Sequence, residues 1–221
     1  MDTEKKIARI VGVLIILALG SSMLSGVFLE SLRATDYLGA VSVNENQVLI
    51  GVLLLLTLTA SVVSIPIVMF PILKKHNESL ALGYVSARIF EGFSDVIIAI
   101  SPLLLVTLSR EFVSVGAPVD SYYQTAGTLL LELSDWIGVL ENIPYCFGVL
   151  IFSYLLYQSK LVPRWLSVWG LIGGIVLLAR VPLSMFAFDP LSTAILAIPI
   201  IVNELVLAGW LIVKGFNLSG E

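Results

Sequence analysis

Six stretches of this chain are apolar for long enough to cross a bilayer, and that succession constrains the fold more than any other feature. In hydrocarbon no water satisfies a backbone N–H or C=O, so each stretch has to close its hydrogen bonds on itself as a helix. The runs are Ile10 to Leu29, Gln47 to Leu73, Ser79 to Leu108, Asp135 to Tyr157, Trp165 to Val181 and Leu191 to Leu211. Only 13% of the 221 residues are charged, against about 25% in a soluble domain, which leaves no room for a soluble module. The expected fold is an all-α, polytopic membrane helix bundle of six transmembrane helices, one domain over residues 1–221. Ahead of the fourth run, Tyr122, Tyr123 and Leu129 to Leu131 continue a helical pattern. Ser121 to Ser134 is therefore expected as a short interfacial helix, capped by Asp120 or Ser121.

Lys5, Lys6 and Arg9 precede a first run longer than the core of a cleavable leader, so that run is expected to be a retained span. Lys and Arg then set the orientation. Lys5, Lys6, Arg9, Lys74, Lys75, Lys160, Arg164 and Lys214 collect at one end of the threaded spans, whereas the opposite loops hold Arg33 and Arg110. Both termini are expected in the cytoplasm. Pro66 and Pro71 in the second span, Pro144 in the fourth and Pro199 in the sixth remove backbone donors and predict bends. Ser22 with Gly26, and Gly170 with Gly174, are small-xxx-small pairs that let another helix approach closely. The second pair is a candidate contact either within the protein or between two copies of it.

The third run breaks the apolar rule. Arg88, Glu91 and Asp95 lie near its middle, and at 100° per residue they share an arc of roughly 60° with Tyr84 behind them. Each charge turned to lipid would cost about 3 kcal/mol, so the arc is expected to face the protein interior or a water-filled cavity. Counting ~1.5 Å per residue puts Arg88 roughly 10 Å and Asp95 roughly 20 Å from the cytoplasmic side. Asn203 and Glu204 then fall near the midplane, with Glu141 and Asn142 in the outer half. One cation thus faces up to four carboxylates, and in a dry cavity at least one of Glu91, Asp95, Glu141 and Glu204 is expected to carry a proton at neutral pH.

Tyr84, Arg88, Glu91, Asp95, Glu141, Asn142, Asn203 and Glu204 are therefore the candidate ligand-binding or proton-linked residues, because ionisable groups inside spans typically mark pathways or relays. A purely structural network around Arg88 is the competing reading. Tyr84 and Tyr145 are candidate donors to the site and equally candidate packing groups. Arg180, Glu132 and Asp135 fall at the outer rim, as solvated pairs or as an entrance. Cys146 is expected to be a small buried apolar residue.

Other chemistries lack their residues. His76, the single histidine, sits at a span end beside Lys74 and Lys75, which removes a Ser-His-Asp set and bis-histidine haem. One cysteine makes no intrachain disulfide, no mid-span lysine is available for a Schiff base, and no basic aromatic patch suits nucleic acid. Without histidine the four carboxylates are not expected to bind metal, and no cofactor is expected.

Four segments carry a resemblance: Asp36-Tyr-Leu-Gly-Ala-Val-Ser42, Ala81-Leu-Gly-Tyr-Val-Ser-Ala-Arg88, Leu161-Val-Pro-Arg-Trp-Leu166, and Asn203-Glu204-Leu with Trp210-Leu-Ile-Val-Lys-Gly-Phe216. The chain resembles the bacterial membrane family catalogued as the domain of unknown function DUF4386. The resemblance implies a six-helix protein of the bacterial inner membrane and brings no activity with it. The residues themselves favour an internal carboxylate-rich site for a small or amphipathic ligand, with proton-linked transport as one form of it. An intramembrane enzyme acting on a lipid or isoprenoid, with Arg88 holding an anionic head group, and a structural or regulatory partner protein stay open. Spans one to three and four to six do not repeat their charges, which counts against transport. The expected partners are the lipid bilayer, a small-molecule or lipid ligand and a second copy through Gly170 and Gly174. A periplasm-only reporter fused to the C-terminus is expected to stay silent, and activity there would reverse the predicted topology.

Overall fold

The computed structural model describes residues 2–118, 122–186 and 194–217. From the end carrying both termini, α1 (Asp2–Phe28) runs to the far end, where a 3-10 turn (Glu30–Arg33) and α2 (Tyr37–Val43) follow. The chain returns through α3 (Glu45–Leu73) and runs out again through α4 (Glu78–Ser114). α5 (Tyr122–Leu140) and α6 (Asn142–Ser159) bring it back, and α7 (Arg164–Leu178) with α8 (Arg180–Met185) takes it out. A 3-10 turn (Ile195–Ala197) and α9 (Ile198–Val213) complete the threading. Among the described residues, six helical segments are long and apolar enough to cross a membrane: Thr3–Phe28, Glu45–Leu73, Glu78–Ser114, Tyr122–Ser159, Arg164–Met185 and Ile195–Val213. The expected all-α bundle is what the chain forms.

Each span packs on its neighbours in sequence, α1 on α3, α3 on α4, α4 on α6, α6 on α7 and α7 on α9, and α9 returns to pack on α1. The spans therefore close into a ring. At the end carrying the termini, the middle of the ring is filled by Val11, Ile65, Met69, Leu73, Leu155 and Leu211, each buried. The backbone N–H of Asn217 donates to the carbonyl of Leu161 at 2.8 Å, tying the segment after α9 to the α6–α7 loop. Lys75 reaches Glu4 at 3.1 Å across the same end. At the far end, α2 and the first turns of α5 pack against α4 around Leu38, Leu105, Phe112 and Tyr123.

Two boundaries differ from the sequence expectation. α4 does not stop near Leu108 but continues to Ser114, about 55 Å at 1.5 Å per residue and longer than the ~30 Å hydrocarbon core. Its extra turns are held from the side. The Ser109 hydroxyl donates to the Leu38 carbonyl, Ser101 donates to Leu130 at 2.6 Å, and Arg110 pairs with Glu45. Gly116 at φ +87° and Ala117 at φ +50° then end the helix in left-handed backbone that a helix cannot continue through. The second difference concerns α5, which extends beyond Ser134 to Leu140 and runs along α4, so the break in the fourth span falls at Glu141 instead of Asp135. Pro144 is the cause: it has no N–H for the carbonyl of Leu140, and its ring crowds that carbonyl. The expected cap at Asp120 or Ser121, Asp189 and the start of the sixth run at Leu191 lie outside the described residues.

Gly170 and Gly174 are buried within the chain. A Cβ on Gly170 would meet Ser153 and Asn203, and one on Gly174 would meet Val149 at 3.1 Å. The pair closes α7 against α6 and α9 within the chain.

Ring closure generates a stability prediction. A Cβ at Gly12 would lie 2.7 Å from Ile212 and 2.8 Å from the backbone oxygen of Ala208, while one at Gly20 would have nothing within 4 Å. Gly12→Ala is expected to cost about 1–3 kcal/mol by forcing α1 off α9, and Gly20→Ala to be neutral or better. Thermal melts of the two variants in one detergent check this, and equal melting points would contradict the α1–α9 contact.

Candidate functional site

The charged arc of α4 faces inward. Tyr84, Arg88, Glu91 and Asp95 are 2, 6, 3 and 5% exposed, so their polar groups have to find partners within the bundle. Tyr84 lies flat on Phe152 of α6, ring centroids 4.8 Å apart and planes within 7°. One turn later, Arg88 Nη1 donates to both carboxylate oxygens of Glu91, at 2.9 and 3.1 Å. The i, i+3 spacing on one helix makes this pairing local, and it satisfies the buried charge within a single element.

α6 is shaped around Arg88. A Cβ on Gly148 would sit 3.0 Å from Arg88 Cδ, so the missing side chain there is what lets the arginine lie between α4 and α6. Its guanidinium stands 5.4 Å from the centroid of the Tyr145 ring, a cation–π distance. Tyr145 passes the connection on, its hydroxyl donating to Glu204 Oε1 of α9 at 2.8 Å. A chain of contacts thus crosses the ring from Glu91 through Arg88 and Tyr145 to Glu204. Towards the far end lie Asp95, on the same face of α4, and Glu141 at the α5–α6 junction. Arg88 Nε and Asp95 Oδ2 are buried and make no hydrogen bond among the described residues.

Six of the eight predicted residues therefore converge: Tyr84, Arg88, Glu91, Asp95, Glu141 and Glu204. The two asparagines are otherwise engaged. Asn142 turns its amide back to the carbonyls of Gly138 and Val139, at 2.8 and 3.0 Å, at the break in the fourth span. Asn203 donates to the carbonyl of Leu166 at 2.9 Å and pins α9 to α7. Both still contribute to cavity walls. Phe152 and Gly148 belong to the site without having been picked out from the sequence. One is an unremarked aromatic in an apolar run, and the other a glycine whose reason is visible only beside Arg88.

The ring is hollow on the far side of Arg88. A cavity of about 330 Å³ lies there, bordered by Arg88, Glu141, Tyr145 and Glu204 together with Leu58 and Ile200. A smaller one of about 30 Å³, room for roughly two waters, lies towards the terminal end beside Tyr84, Phe152 and Asn203. Arg88 and Glu204 border both. Among the described residues no three of His, Cys, Asp and Glu converge as metal ligands would. At the rim, α8 with Arg180 packs near α5, on which Glu132 and Asp135 lie one turn apart.

A model of the family described as "Domain of unknown function (DUF4386)" matches residues 10–215, which takes in nearly all of the six spans. The chain belongs to the DUF4386 family. No curated protein and no solved structure matched the chain. In this DUF4386 protein two of the segments that carry the resemblance meet in space. Leu161, Val162 and Leu166 are buried in one cluster with Leu211 and Phe216 at the terminal end. A third segment, Ala81 to Arg88, delivers Tyr84 and Arg88 to the site, and Glu204 arrives from the fourth.

Removing Arg88 alone would leave Glu91 buried without its partner, so Arg88→Leu is expected to destabilise the protein by about 3–5 kcal/mol. Arg88→Leu with Glu91→Leu is expected to recover most of that loss. Denaturation of the single and double variants checks this, and additive losses would show that the pair is not coupled.

Proposed function

We propose that this protein binds a small or amphipathic ligand inside the membrane, in the far-side cavity walled by Arg88, Glu141, Tyr145 and Glu204, and that binding is linked to protons. The observation that carries this reading is the cavity itself. At about 330 Å³ it is in the size range of small-ligand sites, and its mostly apolar wall holds a few convergent polar groups. A structural network would be expected to close around its charges, whereas here Glu141 and Glu204 stay half-buried at a hollow. The two carboxylates that border the cavity have no cation of their own, because Arg88 is engaged by Glu91. Protons on the carboxyl groups balance the site when it holds no cation. The break at Glu141, ahead of Pro144, borders the cavity and would let its wall adjust. The clustering of Lys and Arg at the terminal end supports a cytoplasmic location for both termini, and the family resemblance supports a bacterial inner membrane.

Carboxylates kept for binding at some cost to the fold give a recognisable pattern. Glu141→Gln and Glu204→Gln are expected to melt at or above wild type, and infrared spectra at neutral pH should show a protonated carboxyl band that weakens in Glu141→Gln or Asp95→Asn. Collapse of both cavity variants together with absence of that band would make the charges a structural network.

A further inference from the structure

Given that the cavity holds a ligand as proposed above, two features of its wall restrict what that ligand can be. We propose that it is a lipophilic organic cation, an amine or quaternary ammonium on an apolar body. It reaches the cavity from the lipid between α1 and α9 and takes the place of protons on Glu141 and Glu204.

The first feature is charge. The titratable groups that line the cavity are Arg88 from α4, Glu141 at the α5–α6 junction, Tyr145 from α6 and Glu204 from α9; Tyr84, Glu91 and Asp95 share the buried face of α4 with Arg88, Cys146 is buried on α6 beside Tyr145, and the wall residues from α1, α3 and α7 are apolar or hydroxyl-bearing. Arg88 is the single cation of the set, and at 2.9 Å from Glu91 its charge is already matched. Asp95, 5% exposed, leaves Oδ2 without a donor among the described residues. The group as a whole therefore lacks positive charge or protons. Carboxylates in an apolar enclosure are kept neutral by protons or by a cation, and exchanging one for the other leaves the balance intact. An anion would make the excess worse.

The second feature is the opening. Leu19 and Met23 lie 7 and 11 residues beyond Gly12, each within about 20° of it around the helix, and so fall on one stripe of α1. At Gly12 this stripe is pressed against Ile212 of α9, yet Met23 borders the cavity and is 74% exposed. The cavity wall therefore reaches the outside of the bundle at Met23. Leu19, Met23 and Ile201 line the wall there, an apolar margin that admits an apolar body from lipid and resists a hydrated ion.

The test is calorimetric titration of the protein in nanodiscs with three probes sharing a benzyl group: benzyltrimethylammonium, phenylmethanesulfonate and N-benzylacetamide. The cation is expected to bind roughly tenfold tighter or more than the other two. Its affinity should fall about tenfold per unit of decreasing pH for each proton released, with a binding heat that depends on the buffer's ionisation enthalpy. Joint Glu141→Gln and Glu204→Gln substitution should abolish both the preference and the proton release, and unchanged cation affinity in that folded variant would overturn the proposal. Equal binding of the sulfonate or the amide by wild type would also overturn it while leaving the ligand cavity standing. Absence of binding by all three probes would overturn both readings. The wild-type comparison decides the question even where the double variant does not fold.

Discussion

Arg88 cannot leave the middle of this bundle, and it cannot remain there without Glu91. A guanidinium in lipid is too costly to be presented outward, so α4 has to turn its charged arc inward, and every neighbouring helix adapts to that orientation. α6 provides a glycine where the arginine stem passes and a tyrosine ring on which the guanidinium rests. α9 provides a carboxylate that the same tyrosine hydroxyl holds. The i, i+3 ion pair matches the arginine charge within one helix.

The closed ring explains why such a site exists at all. Six helices in a circle leave a central volume that side chains must fill or leave empty. Near the termini, long apolar residues from α1, α3, α6 and α9 fill it. Beyond Arg88 side chains do not fill the centre, and the cavity lies there. The asymmetry between a packed half and a hollow half follows from where the ring is tight, and Gly12 against Ile212 marks the tight end.

Much of this was legible in the sequence, for identifiable reasons. Run lengths give the spans because the bilayer permits little else. Helical periodicity put Tyr84, Arg88, Glu91 and Asp95 on one face, and that face is buried. What depends on distant partners was not legible. Nothing local states that α9 closes on α1, or that the Gly170 and Gly174 pair would be used inside the chain. The true end of α4 depends on α2 and α5 packing alongside it, so Pro102 and the polar residues after Leu108 suggested an earlier stop than Ser114. The break at Glu141 was readable in principle, since Pro144 deprives the Leu140 carbonyl of its donor, but the polar residues at Ser134 and Asp135 were the louder local signal. Asn142 and Asn203 show the limit of reading polarity as function: both are half-buried or buried, and both give their amides to backbone carbonyls.

The packed half has a consequence of its own. Val11, Met69, Leu73, Leu155 and Leu211 form a plug without polar groups between the small cavity and the basic end. Such a plug is a permeability seal: neither ions nor a continuous file of water cross it while these side chains keep their places. In this conformation the hollow does not continue through to the terminal end. Passage to the other face would require the plug to repack, which makes the terminal end, and not the charged site, the barrier to any through-traffic.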